Sequence, residues 1–149
     1  MAFASQRTVG PVRVAHVMGK MVGGGVEAVV MNYYRHIDRS RVQFDFLVDE
    51  DSAFVPREEI GSLGGRVFEV PPYQRPFAYA RSLESLFADE GWPIVHSHVN
   101  ALSVFPLRVA ARAGVPVRIA HSHSTAGKGE PVKNALKRLL RTQANRYPT

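Results

Sequence analysis

Two short histidine pairs are the groups in this chain best placed to do chemistry: His96-Ser97-His98 and His121-Ser122-His123. In extended backbone, side chains two residues apart leave the same face, so each pair presents two imidazoles side by side. Imidazoles arranged in this way can ligate zinc or iron, or act as neutral or switchable hydrogen-bond partners for a polyhydroxylated ligand. The metal reading lacks the usual carboxylate ligands, Glu130 being the sole acid near either stretch, and no metal is expected. The expected division is that His96 and His121, deeper in their strands, are packing residues, while His98 and His123 face a cleft from its rim.

The second feature is the glycine run Gly23-Gly24-Gly25, placed between a strand-like and a helix-like segment. A phosphate-binding P-loop is excluded, since Gly19-Lys20 is followed by Met21 and Val14 stands where the first glycine belongs. The G-x-G-x-x-G dinucleotide fingerprint also fails, because no register supplies its three glycines. There remains a loop without side chains that runs into a helix N-terminus, where unpaired N–H groups and the positive dipole end suit an anion such as a diphosphate. A flexible turn that merely starts the helix is the plainer alternative. Glu27, in the first helical turn, is favourable to the dipole whether or not it has a functional role.

These residues need elements to hold them. Val-, Ile- and Phe-rich runs predict strands at Val12 to Met18, Val42 to Val48, Arg66 to Val70, Ile94 to His98 and Val117 to His121. Between them the spacing turns helical, as in Val26, Val29, Val30, Tyr33 and Ile37, and again in Val132, Ala135, Leu136, Leu139 and Leu140. The proline-containing stretch from Glu69 to Phe77 reads as an exposed loop into the third helix, and Gly114 stops the fourth. Alternating strands and helices imply an α/β fold: a doubly wound, mainly parallel, Rossmann-like sheet covered on both faces. Ligands of such sheets sit outside the carboxyl ends of the strands. GKMVGGGVE, HSHVNALS and HSHSTAGKGE all fall at such ends, whereas DRSR, GG and AGVP turn the opposite ones.

With 149 residues, 45% of them hydrophobic and 21% charged, the chain suits one globular domain with a real core and shows neither repeats nor low-complexity segments. No apolar run approaches the roughly 18 residues that span a bilayer. Absent cysteine excludes disulfides and thiolate metal sites, and the opening MAFASQRTVG has no apolar signal core, so a cytoplasmic location is expected. Five of the six net positive charges come from Lys128, Lys133, Lys137, Arg138, Arg141 and Arg146 set against Glu130. No aromatic residues interleave with these charges to stack bases, so nucleic acid is not expected as a partner. An anionic membrane surface suits them better.

VRVAHVMGKMVGGGVEAVVMNYYRHI, FDFLVDED and PIVHSHVNALSVFPLRVAARAGVPVRIAHSHST together resemble the amino-terminal half of a bacterial family 4 (group 1) glycosyltransferase of the two-domain GT-B fold, of the exopolysaccharide and capsule-building type. The resemblance runs from about Val12 to Tyr147. It implies an acceptor-side domain over residues 12–149 behind a flexible leader at 1–11, with the donor-binding domain absent. It further implies retaining, metal-independent transfer from a nucleotide sugar to a glycan or lipid-linked acceptor, without a cofactor. Carried over by residue, Gly23, Gly24 and Gly25 would close on the donor diphosphate, His98 would act as the catalytic residue touching the transferred sugar, and Asn100, His123, Ser124 and Glu27 would line the cleft. The family's E-x7-E glutamates belong to the donor half. Glu50 and Glu58 share that spacing by chance in a polar loop. The chain therefore reads as a fragment that is inactive alone, or else as a stand-alone nucleotide- or sugar-binding module without catalysis.

Overall fold

In the computed structural model, which describes residues 10–123, 135 and 138–149, the chain alternates β1 (Val12–Gly19), α1 (Gly25–His36), β2 (Val42–Asp49), α2 (Arg57–Ser62), β3 (Arg66–Val70), α3 (Pro76–Glu90), β4 (Ile94–Ser97), a 3-10 turn (Asn100–Ser103), α4 (Val104–Arg112) and β5 (Val117–Ala120). The five strands form one parallel sheet in the order β3-β2-β1-β4-β5. The order reverses between β1 and β4, which opens a crevice at their carboxyl ends.

Helices cover both faces, as the alternation predicts. On one face α1 and α2 bury Val30, Met31, Tyr34 and Ile60 against Phe46 and Val48. On the other, Tyr79, Leu83 and Phe87 of α3 and Leu107 and Ala110 of α4 pack on Ala15, Val17, Leu47 and Val95. Each large apolar side chain so buried is worth about 1.5–3 kcal/mol. Pro76 opens α3 at a position where its missing N–H costs nothing, and Gly91, left-handed at φ 60°, closes it.

Three sequence expectations shift. Strand β4 ends at Ser97 and β5 at Ala120, so His98 and His121 lie just past the strands, on loops. Glu58 sits in α2, so the stretch after β2 is only partly loop. Helix α1 exists as expected, but its buried stripe is Val30, Met31 and Tyr34, while Val29 and Tyr33 are 44% and 63% exposed. The sequence spacing marked two apolar rows one residue apart, and the row that the sheet does not reach stays open.

Beyond β5, residues 138–141 are helical; Leu140 is buried, Leu139 is exposed, and the Thr149 N–H bonds the Arg118 carbonyl at 2.9 Å. Ser124, Glu130, Val132, Lys133, Leu136, Lys137 and residues 1–9 of the expected leader lie outside the described residues.

One buried charge braces the sheet. Asp45 of β2 is fully enclosed and accepts from Arg13 of β1 at 2.8 and 2.5 Å, from Arg66 of β3 at 3.1 and 2.7 Å, and from the Trp92 indole at 2.8 Å. Burial opposes its ionisation. The two guanidinium groups and the indole N–H outweigh that and hold its pKa down at about 2.

Candidate active-site rim

The glycine loop is pinned before it turns. Met21 is buried, its N–H donating to Ser52 Oγ at 3.0 Å and its carbonyl accepting from Ala53 at 3.0 Å. Upstream, β1 carries an irregularity between Val17 and Gly19, and Gly19 turns at φ 70° so close to the β4 loop that a Cβ there would come 2.8 Å from Val99. Only glycine fits that crossing. Gly23 is left-handed at φ 82°, whereas Gly24 caps α1 in extended conformation. A Cβ on Gly25 would meet nothing within 4 Å. Among the described residues, packing thus does not require glycine at Gly25.

The amides of this loop already have an anion. The Glu27 carboxylate accepts from the Val22 N–H at 2.7 Å and from the Gly24 N–H. Among the described residues, the N–H groups of Gly25 and Val26 meet no acceptor, as expected at a helix start. Glu27→Ala is expected to cost about 1 kcal/mol, as loss of a cap does, and to raise hydrogen exchange at Val22 and Gly24. Unchanged exchange there would remove Glu27 from the loop's support.

The histidines form a row of five. His16 of β1, which the spacing of the two pairs does not reveal, pairs in register with His96 of β4. Rings stack within each expected pair, His96 on His98 at 4.1 Å and His121 on His123 at 4.0 Å between centroids. Hydrogen bonds cross between strands: His16 Nδ1 lies 2.9 Å from His98 Nε2, and His98 Nδ1 lies 2.8 Å from His123 Nε2. The expected division between packing and rim histidines does not hold. His98 is buried with both ring nitrogens engaged, His123 is half-buried, and His121 is exposed. The reason is that β4 lies inside the sheet, whereas β5 stands further out along it.

Burial, with the neighbouring imidazoles adding to it, pushes the His16 pKa down to about 3, His96 to about 4 and His98 to about 2; His123 is lowered for the same reasons. The rings of His16, His96 and His98 are neutral at pH 7. Asn100, left-handed at φ 52°, accepts the His123 N–H on its side-chain oxygen at 2.7 Å and so ties the β5 loop to the β4 loop.

The structure therefore brings Gly23, Gly24, Gly25, Glu27, His98, Asn100 and His123 to the carboxyl edge of the sheet, while Ser124 lies outside the described residues. It adds a cleft of about 280 Å³ there, bounded by Met18, Lys20, Asp49, Tyr73, Gln74 and Tyr79. Asp49, at the end of β2, is buried, and this burial, reinforced by Asp51 and opposed by Lys20, raises its pKa to about 6. A perturbed carboxyl in a cleft marks a candidate functional group. The sequence gives no sign of it, because Asp49 stands in an acidic run, and only the fold buries one member.

The glycosyl transferase 4-like domain family matches residues 24–147. EpsF of Bacillus subtilis (strain 168), a protein assigned as a glycosyltransferase, is 43% identical over 119 residues, which are 78% of this chain and 31% of EpsF. The chain thus spans about a third of that relative's length. No solved structure matches it. Among the described residues, no helix is long and apolar enough to cross a membrane. With its 3-2-1-4-5 parallel sheet, its glycine loop at the carboxyl edge and this match over most of its length, the chain belongs to the glycosyl transferase 4-like family.

Proposed function

We propose that these residues form the acceptor-side part of a retaining transferase that moves a sugar from a nucleotide-sugar donor to a glycan or lipid-linked acceptor in polysaccharide assembly. The observation that carries this reading is the meeting of the glycine loop, the His98 and Asn100 loop and His123 at the crevice where the strand order reverses. Amides at the start of α1 would face the donor diphosphate and offset charge on the leaving nucleotide without a metal ion on the phosphates. Glu27 would yield those amides or share them.

His98 is the residue assigned to the transferred sugar. Since both of its ring nitrogens are spent on other histidines, a sugar hydroxyl would reach it by taking the place of His123, whose Nδ1 makes no bond among the described residues. The cleft beside Asp49 would receive the acceptor, with Tyr73, Gln74 and the Asp49 carboxyl as partners for its hydroxyls. The exposed Arg138, Arg141 and Arg146 would face the anionic surface from which a lipid-linked acceptor is presented.

A one-sided rim leaves donor contacts to compete with water, so residues 1–149 alone are expected not to transfer sugar. The test compares a panel of nucleotide sugars with three proteins: residues 1–149, the longest polypeptide that its gene encodes, and the His98→Ala form of the latter. The long form should turn over, and His98→Ala should lose roughly 10²-fold, the loss typical of one contact that stabilises a transition state. Turnover by residues 1–149, or an unimpaired His98→Ala protein, would overturn the assignment. Nucleotide-sugar binding by the long form without turnover would favour a binding module.

A further inference from the structure

The glycosyltransfer reading uses one or two of the five histidines and leaves His16 and His96 without work. Both are anomalous. His16 is 3% exposed, and its Nε2 has no hydrogen-bond partner among the described residues; the same holds for the buried Nε2 of His96. A buried polar nitrogen without a partner costs about 1–3 kcal/mol, so two of them side by side ask for an explanation.

We propose that His16, His96 and His98 form a binding site for one late first-row divalent cation, of which Zn²⁺ is the probe. One ring nitrogen from each residue lies within 4.8 Å of the others. Tetrahedral zinc holds its nitrogen ligands at about 2.0–2.1 Å, which sets them about 3.4 Å apart, and ring rotations of an ångström or so close the difference. The donor set consists of three imidazoles with no carboxylate among them. It selects zinc, nickel or copper over magnesium, calcium or manganese.

The surroundings also fit. The three residues lie on two adjacent parallel strands and the loop that continues one of them, so the backbone holds them in place: His16 pairs with His96 in register, and the His98 N–H bonds the Val17 carbonyl at 2.9 Å. When His98 Nε2 turns to the metal, its Nδ1 keeps the 2.8 Å bond to His123 Nε2, the outer hydrogen bond that orients a metal-bound imidazole. The ion takes the unpartnered Nε2 of His16 and of His96 together with His98 Nε2, and these three bonds outweigh the single His16 Nδ1 to His98 Nε2 hydrogen bond that is given up. A groove of about 190 Å³ leads in from the surface between these rings and Val29, Tyr33 and Phe44, giving an entry path and an open fourth position. The absence of carboxylates, which spoke against metal in the sequence, matters less once a third imidazole arrives from β1.

A second trio, His98, His121 and His123, has similar spacing, but His121 is exposed and His123 half-buried, so neither holds a buried nitrogen without a partner. The two are separable by experiment. The 149-residue protein is dialysed against Zn²⁺ and, separately, Co²⁺, and compared with His96→Gln and His121→Gln after circular dichroism has confirmed that each is folded. Expected are one Zn²⁺ per chain, intense four-coordinate Co²⁺ absorption, a loss of affinity of roughly 10²-fold in His96→Gln, and little change in His121→Gln. Long-range ¹⁵N spectra of the unsubstituted protein, which need no variant to fold, should show shifts at ring nitrogens of His16, His96 and His98 on adding Zn²⁺. Absence of stoichiometric binding, or loss in His121→Gln with His96→Gln unaffected, would overturn the proposal.

Discussion

Asp45→Asn is expected to destabilise the fold by about 3 kcal/mol at pH 7, measured by urea denaturation. Removing one partner of a buried ion pair costs about 3–5 kcal/mol. The lower end applies because the Arg13 and Arg66 side chains are 30% and 42% exposed and recover hydration when the carboxylate is gone. Asparagine keeps the shape but offers one acceptor oxygen where five N–H contacts now converge, and it turns an NH₂ group towards donors. The pH dependence has a definite sign. Asp45 has a depressed folded-state pKa, so its ionisation contributes stability above the unfolded value of 3.8, and this is lost as the pH falls towards 2. The shift corresponds to about 2 kcal/mol. The gap between the two proteins should therefore be widest above pH 4 and narrow by that amount near pH 2. A gap that stays constant with pH would mean that Asp45 acts by shape and not by charge.

Asp45 also shows where sequence reading stops. The strands were legible because Val, Ile and Phe cluster in runs of a length that suits a parallel sheet, and the alternation then fixed which ends gather the candidate residues. The like orientation of His96 with His98 and of His121 with His123 follows from a period of two and is observed. What period and spacing cannot tell is which strands become neighbours. His16 joins the row only because β1 lies beside β4, and 82 positions separate it from the residue it bonds. The depth of each histidine depends on the position of its strand in the sheet, so His98 is covered and His121 is open. In the same way, Val29 and Tyr33 match the apolar spacing of α1, but the sheet reaches the adjoining row instead. The glycine loop was legible as an opening, though not as one whose amides its own Glu27 already holds.

Asp49→Asn should have the opposite effect on stability and raise it by about 3 kcal/mol at pH 7.5. The Asp49 pKa rises from 3.8 to about 6 because burial disfavours its charge, Asp51 adds repulsion, and Lys20, paired with Asp51 at 2.6 Å, compensates only in part. With a raised folded-state pKa, the favourable contribution is fully present below pH 3.8 and is lost as the pH climbs through 6. Above that, folding holds a charged carboxylate where it is least hydrated, and the shift amounts to about 3 kcal/mol. An amide of the same shape carries no such charge, so the advantage of Asp49→Asn should be small at pH 4 and complete by pH 7.5. Urea denaturation of both proteins at the two pH values measures it; equal stability at pH 7.5 would show that the carboxylate is well hydrated there. A group that costs the fold this much is understandable where it serves the cleft it lines, since sites that bind or transform ligands retain charge that packing alone would discard. In the acceptor-side reading, the neutral variant should therefore combine higher stability with weaker capture of acceptor. The residue that strains the fold and the residue that holds it together would then stand four positions apart on the same strand, one facing its open carboxyl end and the other locked between arginines.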